Sequence, residues 1–377
     1  MLLLTRIRTN PFLKTQARKL EKCFKRLLLA GLRHTLKAPA AETVDSLKDI
    51  NSILIIRPNF RLGNALISTP VIDALRERFP SARIDYLATD KTLPLLQQRP
   101  VDNFYSLSRT AILRPWQCLS LLRLLRSKRY DLAVQVSAGS TTGFIATRFI
   151  HARYSMGAGK GKHRRYSVEA EAGGTHTYDA VTSLAKALGV DCRNRPLLQL
   201  APQEREHALV QLSELFVLKQ SPRSDKDFVA LFVGGHQKKR WPLTYWLTLL
   251  DALETLERHY VVFLGPEEFR FSQALQQRLA TSKQGVLCQP RPIREFAAML
   301  ERACVLVTPD SGPMHLAAAL DVPTISLVRV RGSLAFIPRE PYDTMLWQPD
   351  VSTVLRAIQS IATVLPDSPR FTQWQAA

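Results

Sequence analysis

From Ile53 to Val328 short apolar runs alternate with longer stretches of helical spacing, and this rhythm restricts the fold more than any other feature of the chain. "ILIIR" (53–57) leads into a helical pattern through Phe79, "RIDYLA" (83–88) into a short one, and "NFYSL" (103–107) into one around Leu113–Leu125. "DLAVQV" (131–136) precedes "TTGFIATRFI", then "RYSMG" (153–157), and the series closes with "TYDAVTSLAKALG". After the Pro- and charge-rich "NRPLLQLAPQERE" a second series begins. "FVALFVGG" (228–235), "YVVFLG" (260–265), "GVLC", "CVLVT" (304–308) and "TISLV" (324–328) alternate with helical stretches at Leu243–Leu256, Phe269–Leu279, Ile293–Leu300 and Met314–Leu320. Such alternation predicts parallel sheets with helices on both faces. The expectation is an α/β protein of two Rossmann-like, doubly wound domains, 50–200 and 201–377, preceded by an extension and linker over 1–49. A length of 377 residues suits two domains that each bury a core.

Ligands of open α/β sheets bind beyond the carboxyl ends of the strands, so the segments that follow strands carry the chemistry. In "VLVTPDSGPMHLAAALDVPTISL" (305–327), Asp310, Ser311 and Gly312 lie between a strand and a helix that starts near Pro313. Proline is tolerated in a first helical turn, where its missing N–H would be unpaired, and Ser311 or Asp310 is placed to cap. The remaining free N–H groups, that of Met314 among them, form an anion site at the positive end of the helix dipole, to which His315 in the first turn adds a side-chain donor. Taken alone, Asp-Ser-Gly is also compatible with an ordinary capped junction.

"GGHQKKRWP" (234–242) joins Gly234 and Gly235, which allow close backbone approach, to Lys238, Lys239 and Arg240, cations suited to a diphosphate. "RPNFRLGNALISTP" (57–70) offers Arg57 and Arg61 to carboxylates or phosphates, with a turn at Gly63-Asn64. Neither G-x-G-x-x-G nor G-K-[ST] is present, which disfavours a classical dinucleotide or P-loop site.

Charge points the same way. Lys and Arg total 52 against 32 Asp and Glu, for a formal +20 and a pI near 10.1. This predicts an anionic partner: nucleic acid, a membrane surface or a phosphorylated substrate. No zinc, RNP or helix-turn-helix signature accompanies the charge, so nucleic acid ranks last and is not expected. Residues 1–40 hold ten Lys/Arg and one acid, Glu21, with Ala17, Leu20, Phe24, Leu27, Leu28 and Leu32 at helical spacing. This basic amphipathic pattern fits docking to an anionic membrane or a protein, or equally a helix packed on the body. No run approaches the ~20 apolar residues of a bilayer span, and no signal peptide is expected. Five scattered cysteines, Cys23, Cys118, Cys192, Cys288 and Cys304, without C-x-x-C pairing, predict a reduced compartment, no disulfide frame and no zinc.

Together the three post-strand motifs resemble glycosyltransferase family 9, the bacterial heptosyltransferases. "ILIIRPNFRLGNALISTP", Lys239-Arg240-Trp241-Pro242 and "DSGPMHLAAA" carry the resemblance, which runs over roughly residues 50–365. It implies a GT-B fold and an inverting sugar transfer without metal or other cofactor, from a nucleotide-sugar, usually ADP-heptose, to the lipopolysaccharide inner core. The implied donor residues are Gly234, Gly235, Lys239, Arg240, Gly265, Pro266, Asp310, Ser311, Gly312, Met314 and His315. Those implied for the acceptor are Arg57, Arg61, Gly63, Lys162, Arg164 and Arg165, the last three in the basic, glycine-rich "ARYSMGAGKGKHRRYS" (152–167), whose bland alternative is a surface loop. Such an enzyme would work in the cytoplasm, peripherally on the inner membrane, with residues 1–40 on the anionic surface.

Two departures qualify the resemblance. Family members place an Asp as general base where this chain has Asn64, and an amide takes no proton; Asp90, in "LATDK", is the nearest alternative carboxylate. The usual Phe-Gly turn after the last strand is replaced by "SLVRVRGSLAF", which leaves donor preference open. Glu267 and Glu268 are read as exposed acids at a helix start, although they are near enough for ribose hydroxyls. His176 is either a ligand contact or the cap of the helix that follows. The rival to a transferase is a catalytically silent relative that binds nucleotide-sugar or glycolipid as a scaffold.

Overall fold

The computed structural model describes residues 39–108, 115–137, 140–159, 164–171, 174–217 and 228–364, together with Gln16. The basic N-terminal pattern and Lys162 lie outside the described residues. The two expected parallel sheets are present. The first has the order β3-β2-β1-β4-β5-β6, from β1 (Ser52–Ile56), β2 (Arg83–Thr89), β3 (Asn103–Leu107), β4 (Leu132–Gln135), β5 (Tyr154–Ala158) and β6 (Val168–Ala170). The second has the order β12-β11-β10-β7-β8-β9, from β7 (Val229–Phe232), β8 (Tyr260–Phe263), β9 (Gly285–Cys288), β10 (Val305–Pro309), β11 (Thr324–Val328) and β12 (Thr344–Trp347). Short β6 and half-exposed edge strand β12 add to the strands legible in sequence, because neither carries a continuous apolar run.

Each sheet is buried on both faces, as parallel sheets require. In the first, Ile53 and Ile55 point into one apolar cluster and Leu54 and Ile56 into another. In the second, Ala230 and Phe232 face one cluster and Val229 and Leu231 the other. In both sheets the strand order reverses at a switch point, between β1 and β4 in the first and between β10 and β7 in the second. A crevice for ligand opens at such points, and all three motifs begin at strands flanking them.

The helical pattern after β1 is not one helix. It breaks into α1 (Leu62–Ile67) and α2 (Pro70–Arg78). Pro70 has no N–H to continue the ladder, and the Ser68 and Thr69 hydroxyls turn back to donate to the carbonyls of Ala65 and Leu66. The other helices are α3 (Pro115–Ser127), α4 (Thr141–Ile150), α5 (Asp179–Ala187), α6 (Pro202–Val217), α7 (Leu243–Thr255), α8 (Phe269–Ala280), α9 (Ile293–Glu301), α10 (Gly312–Ala319) and α11 (Val351–Val364). None in the described residues is long and apolar enough to cross a membrane.

The two halves are joined by buried contacts. Leu66 and Leu95 from the first half enter the apolar cluster of the second, and Phe336 of the second packs on the core of the first. Backbone bonds run from Thr177 N–H to the Ala335 carbonyl and from Leu198 N–H to that of Ala319. Arg195, in the connecting segment, donates to the Ala318 carbonyl and pairs with Asp343 at 2.5 Å, both side chains being buried. Asp343 also accepts from the N–H and hydroxyl of Thr324 at the start of β11.

An Asp343→Ala chain would leave the buried Arg195 guanidinium with Asp321, at 3.3 Å, as its remaining carboxylate and would leave the Thr324 hydroxyl and N–H unpaired. Its expected cost is about 1–3 kcal/mol, read as a lower midpoint in urea denaturation with the slope unchanged.

Candidate functional site

The first motif starts where β1 ends. Arg57 is buried, and its Nε and Nη2 donate to the backbone carbonyl of Asn64 at 3.1 and 3.0 Å. Burial pushes this guanidinium's pKa down. Its donors thus anchor the first turn of α1. Arg61, at the start of α1, is exposed, and its N–H donates to Asn59 Oδ1.

Gly63 lies against the second half of the chain. A Cβ at this position would overlap Cδ2 of His315, and one at Gly312 would sit 3.7 Å from Leu62 Cβ. Helices α1 and α10, each following a switch-point strand of a different sheet, therefore pack directly together. The His315 ring is buried, with Nδ1 at 3.2 Å from the Tyr178 hydroxyl, and its pKa falls to about 4, chiefly through burial. Asp310 pulls it up, while His176 and Lys239 push it further down. At neutral pH His315 is an uncharged hydrogen-bonding group.

A column of rings supports it. His176, Tyr178, His315 and Phe336 follow at centroid spacings of 4.9, 6.1 and 6.2 Å. The Nε2 of His176 donates to the Ile337 carbonyl and its Nδ1 accepts from Tyr178 N–H. His176 is buried, and its ring ties the start of α5 to the loop after β11; α5 itself has no side-chain cap bond.

Asp310 is buried and ion-paired with Lys239, which stands in the turn Gln237–Lys239 after β7. The capping expectation fails in detail. Ser311 occupies the N-cap of α10 but makes no capping bond, because its hydroxyl is engaged 2.9 Å away with Thr308 Oγ1. The N–H groups of Gly312 and Met314 belong to the first turn, where no intrahelical partner exists. Met314 is buried among Val328 and Ile337 and contributes packing.

The glycines of the second motif have a more specific role than expected. A Cβ on Gly234 would overlap the Phe232 ring and meet Glu268 Cδ at 2.9 Å, and one on Gly265 would overlap Glu268 Oε2. Gly235 has φ +121°, where side chains are strained. The turn at Gly265 makes room for a carboxylate, and the one at Gly234 for the Phe232 ring beside it. Glu268 is only 4% exposed, which corrects the reading of it as an exposed acid; Glu267, like Pro266, is exposed. Burial raises the Glu268 pKa, against the opposing pull of Arg240. Arg240 Nη2 lies 3.9 Å from Glu268, and its guanidinium stands over the Phe271 ring. Trp241 is structural: its indole donates to the Pro349 carbonyl and its ring meets Trp246 edge-on.

Gly63, Asn64, Lys239, Arg240, Asp310 and His315 are thus gathered where α1, α10 and the β7 and β10 ends meet. Other candidates make contacts elsewhere. Asp90 bonds Ser108 near the end of β3 and the N–H of Lys91. Arg164 donates to the Ser167 carbonyl, and Arg165 stands over the Phe144 ring. Tyr178 was missed in the sequence, where nothing distinguishes it from other core tyrosines. Among the described residues no group of three His, Cys, Asp or Glu is placed to hold a metal ion.

Comparison with known proteins shows the family of the chain. Residues 118–356 match the model of glycosyltransferase family 9 (heptosyltransferase). Lipopolysaccharide heptosyltransferase 3 of Escherichia coli is 25% identical over 314 residues, 76% of this chain and 86% of the relative. Lipopolysaccharide heptosyltransferase 2 of Salmonella typhimurium is 27% identical over 290 residues, 73% and 82% of the two chains. Among solved structures, a family 9 glycosyltransferase of Veillonella parvula superposes with a TM-score of 0.70 at 18% identity, covering 84% of this chain and 98% of the other. E. coli heptosyltransferase WaaC with ADP-2-deoxy-2-fluoro heptose gives 0.63 at 16%, over 83% and 99%. The fold is the GT-B arrangement expected from sequence.

The His315 environment has a measurable consequence. Unfolded, the ring titrates near 6.5; folded, at about 4. Between these values only the unfolded chain takes up the proton, so stability is full above pH 6.5 and falls as the pH drops towards 4. The denaturation midpoint of His315→Gln is expected to depend less steeply on pH across this window than that of the parent.

Proposed function

Because this chain belongs to glycosyltransferase family 9, we propose that it transfers a heptose from ADP-heptose to the lipopolysaccharide core, with inversion at the anomeric carbon. The observation that carries this reading is the convergence of the Lys239–Asp310 pair, the uncapped first turn of α10 and the Gly63-Asn64 turn at one junction. The names of the curated relatives, lipopolysaccharide heptosyltransferases, supply the substrate class.

In this reading the donor diphosphate lies at the start of α10, where the Gly312 and Met314 N–H groups and the helix dipole favour an anion. An acceptor hydroxyl attacks the anomeric carbon as the bond to the departing phosphate oxygen breaks. Negative charge grows on the ADP, and Lys239 and Arg240 neutralise it. Preorganised cations of this kind lower a barrier most because they need no reorganisation during reaction. Asp310 holds the Lys239 ammonium in place, and Glu268 does the same for Arg240 while lying within the donor half, where ribose hydroxyls would find an acceptor. Asn64 orients the acceptor and leaves its proton to another group, since an amide is not basic. Arg61, which is exposed, supplies a cation for the anionic groups of the inner core, and Lys162, Arg164 and Arg165 are assigned to the acceptor from their basic sequence alone. The enzyme works in the cytoplasm at the inner membrane face, with residues 1–40 on the anionic surface.

Incubation with ADP-heptose and heptose-deficient core acceptors should add one heptose to the acceptor mass and release ADP. Lys239→Ala is expected to lower kcat by about 100-fold or more, and Asp310→Ala to reduce it as well. Donor binding without turnover by the parent, across several acceptors, would instead favour the silent scaffold.

A further inference from the structure

The apolar side chains of α3 point in two directions. Leu125, with Leu121 and Leu122 beside it, seats the helix on the first sheet among Leu54, Ile56 and Leu87. Trp116, Leu119 and Leu124 point away and are 61%, 36% and 50% exposed. At about 100° per residue these three and Arg123 fall on one side of the helix. A tryptophan and two leucines exposed together on one short helix mark an interaction surface rather than scattered surface apolars.

The charge around them has one sign. Arg123, Arg126 and Arg129 are exposed, and the sequence has no carboxylate between Asp102 and Asp131. Helix α4, packed alongside, carries Arg148 and no acid. The occupant must therefore be anionic and must also accept apolar side chains. The N-terminal segment of this chain is itself strongly basic, with ten Lys/Arg and one acid in residues 1–40, and a second copy would present the same cations. A nucleic acid would match the charge but leave the leucines against a polar backbone.

An anionic bilayer meets both demands. Guanidinium groups pair with lipid phosphates, apolar side chains enter the acyl boundary, and tryptophan favours the headgroup level. We propose that the exposed face of α3 docks the protein on an anionic lipid bilayer. Trp116 stands at the end of α3 that follows β3, and thus on the carboxyl edge of the first sheet, the edge that carries Asn64. Docking there presents a lipid-linked acceptor to the site. This orientation rests on the proposed acceptor, whereas the lipid chemistry of the face does not.

The test sediments full-length protein with phosphatidylglycerol-rich and with pure phosphatidylcholine vesicles, using the parent, W116S/L124S and R123E/R126E. Unchanged thermal melting shows that the variants fold, as expected for exposed positions. The parent is expected to bind only the anionic vesicles, and each double variant to bind them about tenfold or more weakly. Brominated lipid should quench the parent's tryptophan fluorescence, and W116F should lose part of that quenching. Parent-like binding by both variants, or undiminished quenching in W116F, would overturn the proposal. So would a dimer that dissociates in the variants, or binding to single-stranded nucleic acid that these substitutions abolish while vesicles are ignored. Transfer to a soluble, delipidated acceptor is measured in parallel and should be retained by the variants. If the parent transfers nothing yet its vesicle binding still requires Trp116 and Arg123, the enzymatic reading fails and the docking surface stands.

Discussion

The contact between α1 and α10 is the constraint on which the rest of the site depends. Two helices from different sheets can lie this close only because Gly63 has no side chain where the His315 ring passes. The approach fixes His315 in a dry setting, where its imidazole stays neutral. It also brings the Asn64 turn, anchored from behind by Arg57, to the start of α10. A single missing Cβ thereby couples the geometry of the two halves to the electrostatics between them.

The charged groups follow from this frame. Lys239 and Arg240 are consecutive but have separate carboxylate partners, Asp310 for the first and Glu268 for the second. Holding a lysine or arginine in one geometry costs side-chain entropy, and a partnered cation has met that cost before a ligand arrives. The pairing also explains the glycine after β8, whose missing Cβ admits Glu268, while the one after β7 admits the Phe232 ring and lies close to the same carboxylate. Away from the junction, Arg195 and Asp343 pair inside the protein and tie the connecting segment to the start of β11.

Much of this was legible in the sequence. The alternation of β-type and helical runs specified two parallel sheets, and the three motifs after β1, β7 and β10 lie where they were expected. Local rules failed where a tertiary partner intervened. Ser311 has the right identity for a cap, yet Thr308 engages its hydroxyl. Glu268 has the look of a solvated acid at a helix start, yet it is buried beside the glycines that follow two strands. The helix through Phe79 divides at Pro70 because the Ser68 and Thr69 side chains satisfy the carbonyls that the break releases.

The sequence by itself determined the class of fold, the places where loops could carry chemistry and the cationic character of those loops. Periodicity, turn residues and charge are local properties, and a chain displays them before it folds. Strand order, the meeting of Gly63 with His315, and the pairing of Lys239 with Asp310 across 71 positions of sequence were decided only in the tertiary structure. These depend on which distant surfaces bury one another, and no local pattern encodes that choice. The exposed side of α3 belongs with them: its leucines form one apolar pattern in sequence, and only packing on the sheet separates those that are buried from those left facing out.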